Sequence, residues 1–391
     1  MKLKRFVAVI LAGITLLSFS GCKSEKIGSY DSTASVNYDA LEVLDELKPK
    51  YATGFKIEHL SLGYKRIMID DEEYILVPEN METPAGLPEN ITVLNAPLDN
   101  VYLVSTAAMD PIIRLSSLER ITMAGTDASG WYIDEARETL ENGDIIFAGK
   151  YSAPDYESIV EMECDLAIEN TMIYHNPEVK ENLESFGVPV IVEKSSYENE
   201  PLGRVEWIKL YGALFDKEDE ANRYFDEQET KVASVLEEVK NQTAKTDDVK
   251  TVAFFSFNSN GTVTVRKTDD YVPHMIEYAG GKYVFDNLLD ETSLSTTNVD
   301  LESFYDVASD ADILIYNATI EGEISYIQEL YDKWPLFADF KAAKNGMVYC
   351  TYKSMYQEVC SVPDIIVDMH KIIESDTIVR ADELTYIYPV K

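Results

Sequence analysis

The sequence predicts an α/β protein of two lobes with mostly parallel central sheets, joined by one long helix. Three observations carry this. Short apolar runs alternate with amphipathic runs along most of the chain, the pattern of buried strands and the helices that cover them. One unit occurs twice, about 145 residues apart. Asp155-Tyr156-Glu157-Ser158-Ile159-Val160 leads to Asp165-Leu166-Ala167-Ile168, and Asp300-Leu301-Glu302-Ser303-Phe304-Tyr305 leads to Asp312-Ile313-Leu314-Ile315. Each copy reads as a helix feeding a short apolar strand through a polar turn. Between the copies, residues 203–241 hold the longest helical pattern: Trp207, Leu210, Tyr211, Leu214, Phe215, Ala221, Tyr224 and Phe225 recur at three and four. Gly212 and Asp216-Lys217 mark a candidate interruption of that helix.

Taken in order, the chain opens on a basic stretch (Lys2, Lys4, Arg5) and an apolar run from Phe6 to Phe19, shorter than a comfortable membrane span. Phe19-Ser20-Gly21-Cys22 then resembles the lipobox of bacterial lipoproteins, which makes residues 1–21 a signal peptide and Cys22 the acylated residue. Phe19 stands where Leu is usual. The alternative is an ordinary secretory signal, and both place the mature chain outside the cytoplasm. Acylation would anchor the chain to the membrane through buried methylenes. Polar residues 22–40 read as a flexible tether.

Residues 41–85 form a β-rich lead-in, with strand patterns at Tyr51–Leu60, Tyr64–Ile69 and Tyr74–Val77 separated by Gly and acidic turns. A linker over 86–91 opens the first lobe, 86–202. Its strands are expected at 91–94, 101–104, 121–125, 145–147, 165–168 and 188–192. Its helices are expected at 107–115, with Ser105 before it as a candidate cap, and at 134–142, 155–163 and 177–186. The second lobe, 246–391, repeats the alternation. Its strands are expected at 249–257, 312–316 and 347–350, and its helices at 272–278, 301–308, 323–332 and 363–373.

A formal net charge of −36 excludes nucleic acid as a partner, because phosphates would be repelled. It serves solubility, and more weakly favours a cationic or metal-bearing ligand. Cys164 reads as a small buried hydrophobe. Cys350 and Cys360 lie ten apart around a turn, where outside the cell a disulfide can form. No zinc-type Cys/His cluster appears, and the four histidines are scattered.

The segment Pro201-Leu-Gly-Arg-Val-Glu-Trp-Ile-Lys-Leu-Tyr-Gly-Ala-Leu-Phe-Asp-Lys-Glu-Asp-Glu-Ala221 resembles the opening of the backbone helix in substrate-binding proteins of iron-complex and cobalamin ABC importers. Leu118-Glu-Arg-Ile121, Phe186-Gly-Val-Pro-Val-Ile191 and Glu277-Tyr-Ala-Gly-Gly-Lys282 are similar to that family too, and the resemblance spans roughly residues 90–375. It implies a monomer whose two lobes are braced by a rigid helix, with a ligand cleft between them. The implied cargo is an iron–siderophore, haem or cobalamin-like complex, so iron or cobalt would enter with the ligand and no cofactor of the protein's own is expected. Each lobe in this family projects one glutamate toward arginines of the two-fold permease dimer, and by position these are Glu157 and Glu302. Either glutamate alone has a simpler explanation, since a carboxylate in the first turn of a helix is favoured by the helix dipole.

Ligands of open α/β sheets bind beyond the carboxyl ends of the strands. The loops there supply Ser105, Trp131, Tyr132, Tyr151, Asn170, Tyr197, Asn258, Tyr271, Lys353 and Tyr356 as candidate ligand contacts. Aromatic faces with a few amide donors suit a bulky chelate or macrocycle, although with 25 tyrosines in the chain some loop tyrosines are expected in any case. Lys353 and Arg204 are candidates for an anionic group, Arg204 having the alternative of pairing with Glu200 or Glu206. A direct ferric site would need clustered Tyr, His and carboxylate ligands, and none has that spacing. The competing functions are an extracellular enzyme and a sensor or adhesin domain on a similar scaffold. No nucleophile elbow, P-loop or metal motif supports the enzyme.

Overall fold

The computed structural model describes residues 36–243, 249–286 and 295–391. The leader, Cys22 and the expected tether as far as residue 35 lie outside the described residues. The tether's last five residues are docked: Tyr38 N–H donates to Ala85 O (2.8 Å) and Ala85 N–H to Val36 O (2.7 Å).

The lead-in is a five-stranded sheet of β1 (Val43–Leu47), β2 (Phe55–Leu60), β3 (Lys65–Ile69), β4 (Glu72–Val77) and β5 (Ile91–Asn95), in that spatial order. The pairings are antiparallel except the last, where β5 runs parallel to β4. The boundary expected at 85/86 therefore falls inside this sheet. A parallel pair needs a crossover of about a dozen residues; here it is residues 78–90, and most of the stretch read as a linker forms its second half. Phe55, Ile57, Ile67, Ile69, Tyr74 and Leu76 on one face join the main core, while Tyr64, Ile75, Val77 and Ile91 form a small cluster on the other.

The first lobe contains β6 (Val101–Leu103), α1 (Met109–Arg114), β7 (Ile121–Ala124), α2 (Asp134–Asn142), β8 (Ile146–Phe147) and a small ribbon of β9 (Gly149–Lys150) and β10 (Ala153–Pro154). It continues through α3 (Tyr156–Glu161), β11 (Leu166–Asn170), α4 (Pro177–Ser185) and β12 (Val190–Glu193). Its sheet has the order β12-β11-β6-β7-β8, every pairing parallel. Leu103, Ile168 and Ile191 face the main core; Tyr102, Ala167, Val190 and Val192 face a second cluster under α3 and α4. Burial on both faces explains the near-continuous apolar runs.

The segment expected as one helix over 203–241 is three helices in succession: α5 (Pro201–Glu206), α6 (Ile208–Leu214) and α7 (Glu218–Thr243). The main interruption falls where the sequence marks it. Asp216 adopts a left-handed conformation (φ 56°), which ends α6, and the acids Glu218, Asp219 and Glu220 open α7 where the helix dipole favours them. Gly212 is needed at the corner, because a Cβ there would lie 2.6 Å from Cβ of Ala221. At about 1.5 Å per residue α7 is roughly 39 Å long.

The second lobe holds β13 (Thr251–Phe257), β14 (Val263–Arg266), α8 (Tyr271–Tyr278), β15 (Lys282–Tyr283), β16 (Thr296–Val299), α9 (Leu301–Ala308), β17 (Ile313–Tyr316) and α10 (Ala318–Glu321). Then come α11 (Ile327–Lys333), α12 (Lys341–Asn345), β18 (Val348–Thr351), α13 (Val362–Glu374) and β19 (Ile387–Pro389). Strands β15, β13, β17 and β18 are parallel, and the additions β14, β16 and β19 are antiparallel. The sequence reading did not resolve those three. Phe255, Phe257, Phe304, Trp334, Phe337 and Phe340 form an aromatic cluster inside this lobe. Cys350 and Cys360 remain separate buried thiols, and burial pushes the Cys350 thiol up to about 11.

Candidate functional site

A cavity of about 340 Å³ lies between the lobes. The first lobe contributes Ser105 after β6, Asn170 at the end of β11 and Glu193 at the end of β12; α5 contributes Arg204. The second lobe contributes Arg266 at the end of β14, Tyr271 at the start of α8 and Tyr356 beyond β18. The first-lobe residues sit at or just past the carboxyl ends of parallel strands, where backbone directions converge on open space.

Four of the ten predicted contacts, Ser105, Asn170, Tyr271 and Tyr356, line this cavity. Tyr132 and Lys353 adjoin it: the rings of Tyr132 and Tyr356 are 6.1 Å apart, and Lys353 Nζ lies 4.7 Å from the Tyr132 ring centre. Tyr197 lines a neighbouring groove of about 290 Å³ with Asp70, Tyr174 and Lys194, and Thr171 borders both spaces. Trp131 is placed elsewhere. It is 2% exposed in the main core, its indole N–H donating to Thr126 O (3.1 Å). The tight turn Ala128–Gly130, capped by Asp127, turns the side chain inward. Tyr151 packs on the second cluster of the first lobe. Asn258 is held in the β13–β14 turn by Thr262, Thr264 and Asn298. Ser105 makes no side-chain cap bond; its hydroxyl donates to Glu193 (2.9 Å).

The sequence reading did not single out Glu193 or Arg266. Glu193 is buried and accepts from Ser195 N–H (2.7 Å) as well as Ser105. Burial pushes its carboxyl up, opposed by those hydrogen bonds and by nearby Arg204. Arg204 pairs with neither Glu200 nor Glu206. Its guanidinium stacks 3.8 Å from the Tyr271 ring centre and donates once, to Ser196 O (3.1 Å). Glu200 instead accepts from Tyr278 (2.7 Å), and Glu206 is taken by Lys50, Tyr51 and Ala52 on the far side. The available signal was position, since a charged residue closing an apolar strand faces a strand-end cavity. Glu169, one residue before Asn170, is fully buried on the opposite face of β11, and neither carboxylate oxygen has a partner among the described residues. Burial pushes it up to about 8.

Beside the cavity the lobes are tied together. Gln357 of the second lobe accepts from Tyr132 N–H (2.8 Å) and donates to Gly130 O (2.8 Å). Buried Asp110 of α1 accepts from Cys360 N–H (2.7 Å) and from Arg114 (3.0 Å).

The repeated unit is also a repeated local structure. Asp155 caps α3 and Asp300 caps α9. Each accepts from the serine N–H three residues on (3.3 and 2.9 Å), and the same serine hydroxyl donates back (2.7 and 2.9 Å). These bonds hold both capping carboxyls below their usual range. Glu157 and Glu302 follow at the second helical position of each, both exposed and without an ion-pair partner among the described residues. Asp165 and Asp312 occupy matching places too, receiving the backbone N–H of Asn100 (2.9 Å) and Thr251 (2.8 Å) at the start of the adjoining strand.

With the geometry in place, comparison with known proteins defines the class. The model of the periplasmic binding protein family matches residues 119–354, more than half the chain, and the chain belongs to that family of binding proteins. The lead-in sheet lies outside the match. An uncharacterised lipoprotein of Methanocaldococcus jannaschii is 27% identical over 299 residues, covering 74% of this chain and 68% of its own. A second from that organism is 26% identical, covering 99% of this chain and 100% of its own. Among solved structures, a periplasmic haem-binding protein from Pseudomonas aeruginosa aligns with TM-score 0.59 at 12% identity, over 75% of this chain and 98% of its own. A petrobactin-binding protein from Bacillus subtilis aligns with TM-score 0.56 at 14% identity, over 71% and 93%. At these identities the structures establish a shared fold.

Proposed function

We propose that this chain is the lipid-anchored, extracytoplasmic substrate-binding component of an ABC importer. In this reading it captures an iron–siderophore, haem or cobalamin-like complex in the interlobe cavity and delivers it to a permease dimer. The observation that carries the reading is the pairing of one polar cavity between two lobes with one exposed, equivalently capped glutamate on each lobe. The cavity and the groove that shares Thr171 give a ligand wider than either space room to extend, and Tyr271, Tyr356 and Tyr132 offer aromatic faces. The names of the haem- and petrobactin-binding structures support the cargo class, and the relatives named lipoproteins support acylation at Cys22.

Glu157 and Glu302 would act in registering the lobes on a two-fold partner and in speeding encounter, because exposed ion pairs contribute only about 0–1 kcal/mol each. The test is native mass spectrometry of the protein purified from its own host membranes, followed by thermal-shift titration with ferric chelates, haemin and cyanocobalamin. Co-purification of a metal chelate or macrocycle, and a chelate-dependent rise in Tm, is the expected result. Absence of both, or a Cys22→Ser protein that stays in the membrane fraction, would remove the corresponding part of the proposal.

A further inference from the structure

Two guanidinium groups reach the interlobe cavity. Arg204 comes from α5 and Arg266 from the end of β14. Both lie near one aromatic ring, Tyr271, with guanidinium carbons 3.8 Å and 5.6 Å from its centre. A guanidinium has five N–H donors in one plane. Stacked on a ring, Arg204 keeps its face against the aromatic and its donors pointing outward along the edges. It spends one donor, on Ser196 O. The Arg266 backbone exchanges hydrogen bonds with the Tyr283 hydroxyl (both 2.9 Å), but its guanidinium makes none among the described residues. Its acidic neighbour Asp270 stands 3.6 Å from Nη1, and Asp270 accepts the Val272 N–H that opens α8. Its side chain is nonetheless only 17% exposed. A largely buried guanidinium with unspent donors is costly unless the space beside it holds acceptors.

Among the described residues the acid lining this cavity is Glu193, whose two oxygens are occupied by Ser195 N–H and the Ser105 hydroxyl. The cavity therefore offers a surplus of charged donors, in a chain with 70 acidic and 34 basic residues. The acidic exterior does not cancel this, since exposed charges are screened over about 8 Å at physiological salt.

The geometry points to a cargo bearing anionic oxygens at its periphery, carboxylate or catecholate, received by Arg204 and Arg266 around the Tyr271 ring. This rests on the importer reading above and narrows it, setting neutral corrinoids and cationic hydroxamate chelates aside. Planar anionic oxygen pairs match the arginine fork, and hydrogen bonds to charged groups in a partly dry site are the strong kind.

The test is isothermal titration of the full soluble chain, lacking only residues 1–22, with five probes. Haemin and ferric citrate carry carboxylates, and the ferric tris-complex of 2,3-dihydroxybenzoate carries catecholates. Cyanocobalamin is neutral and ferrioxamine B cationic. At least one anionic probe is expected to bind, with a Kd that rises with salt in the unaltered protein. Arg204→Gln and Arg266→Gln are each expected to weaken it about tenfold to a hundredfold. Arg266→Lys, which keeps the charge and loses the fork, is expected to lose less. The salt titration needs no substitution, so it reads the same interaction if a variant folds poorly. Binding of cyanocobalamin or ferrioxamine B in preference to every anionic probe overturns this inference and leaves the importer reading standing. So does anionic binding indifferent to salt and to both arginines. No binding by any of the five overturns both.

Discussion

The two sides of α5 use charge in opposite ways. On the side facing the lead-in sheet, Glu206 accepts the N–H groups of Lys50, Tyr51 and Ala52 and the Lys209 ammonium, while Glu198, just before the helix, accepts those of Thr53 and Gly54 and the Trp207 indole. Five consecutive backbone donors end on two carboxylates. Gly203 lets the chain come this close, since a Cβ there would stand 3.0 Å from Tyr51 O. On the side facing the cleft, Arg204 spends one donor of five. Arg204 and Glu206 are two residues apart, which places them on roughly opposite sides of a helix and explains why they do not pair. A saturated buried charge holds the fold together, and an unsaturated one is a place for something else to bind.

The sharpest way to break this comparison is to empty the saturated side. Glu206→Ala leaves three backbone N–H groups and Lys209 without their acceptor at a fully buried position. The expected loss is about 3–5 kcal/mol of unfolding free energy, read by urea denaturation. Arg204→Gln in the ligand-free chain is expected to cost less than about 1 kcal/mol, because its donors are already unspent. Equal losses for the two substitutions would end the distinction.

Glu169 sharpens it from another direction. It is as buried as Glu206 and has none of its partners. Its carboxyl titrates near 8 in the folded chain against an ordinary value of 4.5. Between those values the folded state keeps a proton that the unfolded state has lost, so stability falls as pH rises, by about 1.4 kcal/mol per pH unit at most. From pH 5 to 7 this amounts to about 2.5 kcal/mol. Glu169→Gln should flatten that part of the stability profile and raise Tm at pH 8. A variant that is less stable than the parent at pH 8 would mean the carboxylate is partnered after all.

The same contrast explains what was legible in the sequence. Devices built from neighbours in the chain read correctly: helices at 134–142 and 301–308, the repeated helix-to-strand unit, the interruption at Asp216-Lys217. Side chains whose meaning depends on distant partners did not. Arg266 ends a strand whose antiparallel partners were not apparent, and Glu193 acquires its role from Ser105, 88 residues away. Trp131 has the composition of a ligand contact, but its local turn sends it into the core. The attachment of the lead-in sheet was invisible, because nothing in Lys50–Gly54 shows that its N–H groups will meet acids about 150 residues later.

A smaller effect is expected where the lobes meet. Gln357→Ala releases Tyr132 N–H and Gly130 O at the cavity edge, where water can replace part of what is lost. The expected cost is about 1–2 kcal/mol, with faster hydrogen exchange confined to residues around 128–132 and 354–360. Exchange that accelerates throughout the first lobe instead would show that this clamp supports much more than the edge it touches.

The smallest effect on stability is expected at the repeated unit, and there the comparison runs within one turn of helix. Asp155 and Asp300 are spent on capping, so Asp155→Ala and Asp300→Ala should each lower the unfolding midpoint. Glu157 and Glu302, two residues on, touch no cation among the described residues. Reversing both, Glu157→Lys with Glu302→Lys, should leave the midpoint almost unchanged apart from a weakened interaction with each helix dipole, and should leave chelate binding intact. Uptake by cells should nonetheless be lost, because two cations would then face the permease where two anions are needed, and like charges brought together at an interface are strongly unfavourable. Each single reversal should be intermediate if the two lobes engage equivalent halves of a two-fold partner. Normal uptake by the double variant would return both glutamates to the role that the helix dipole alone explains.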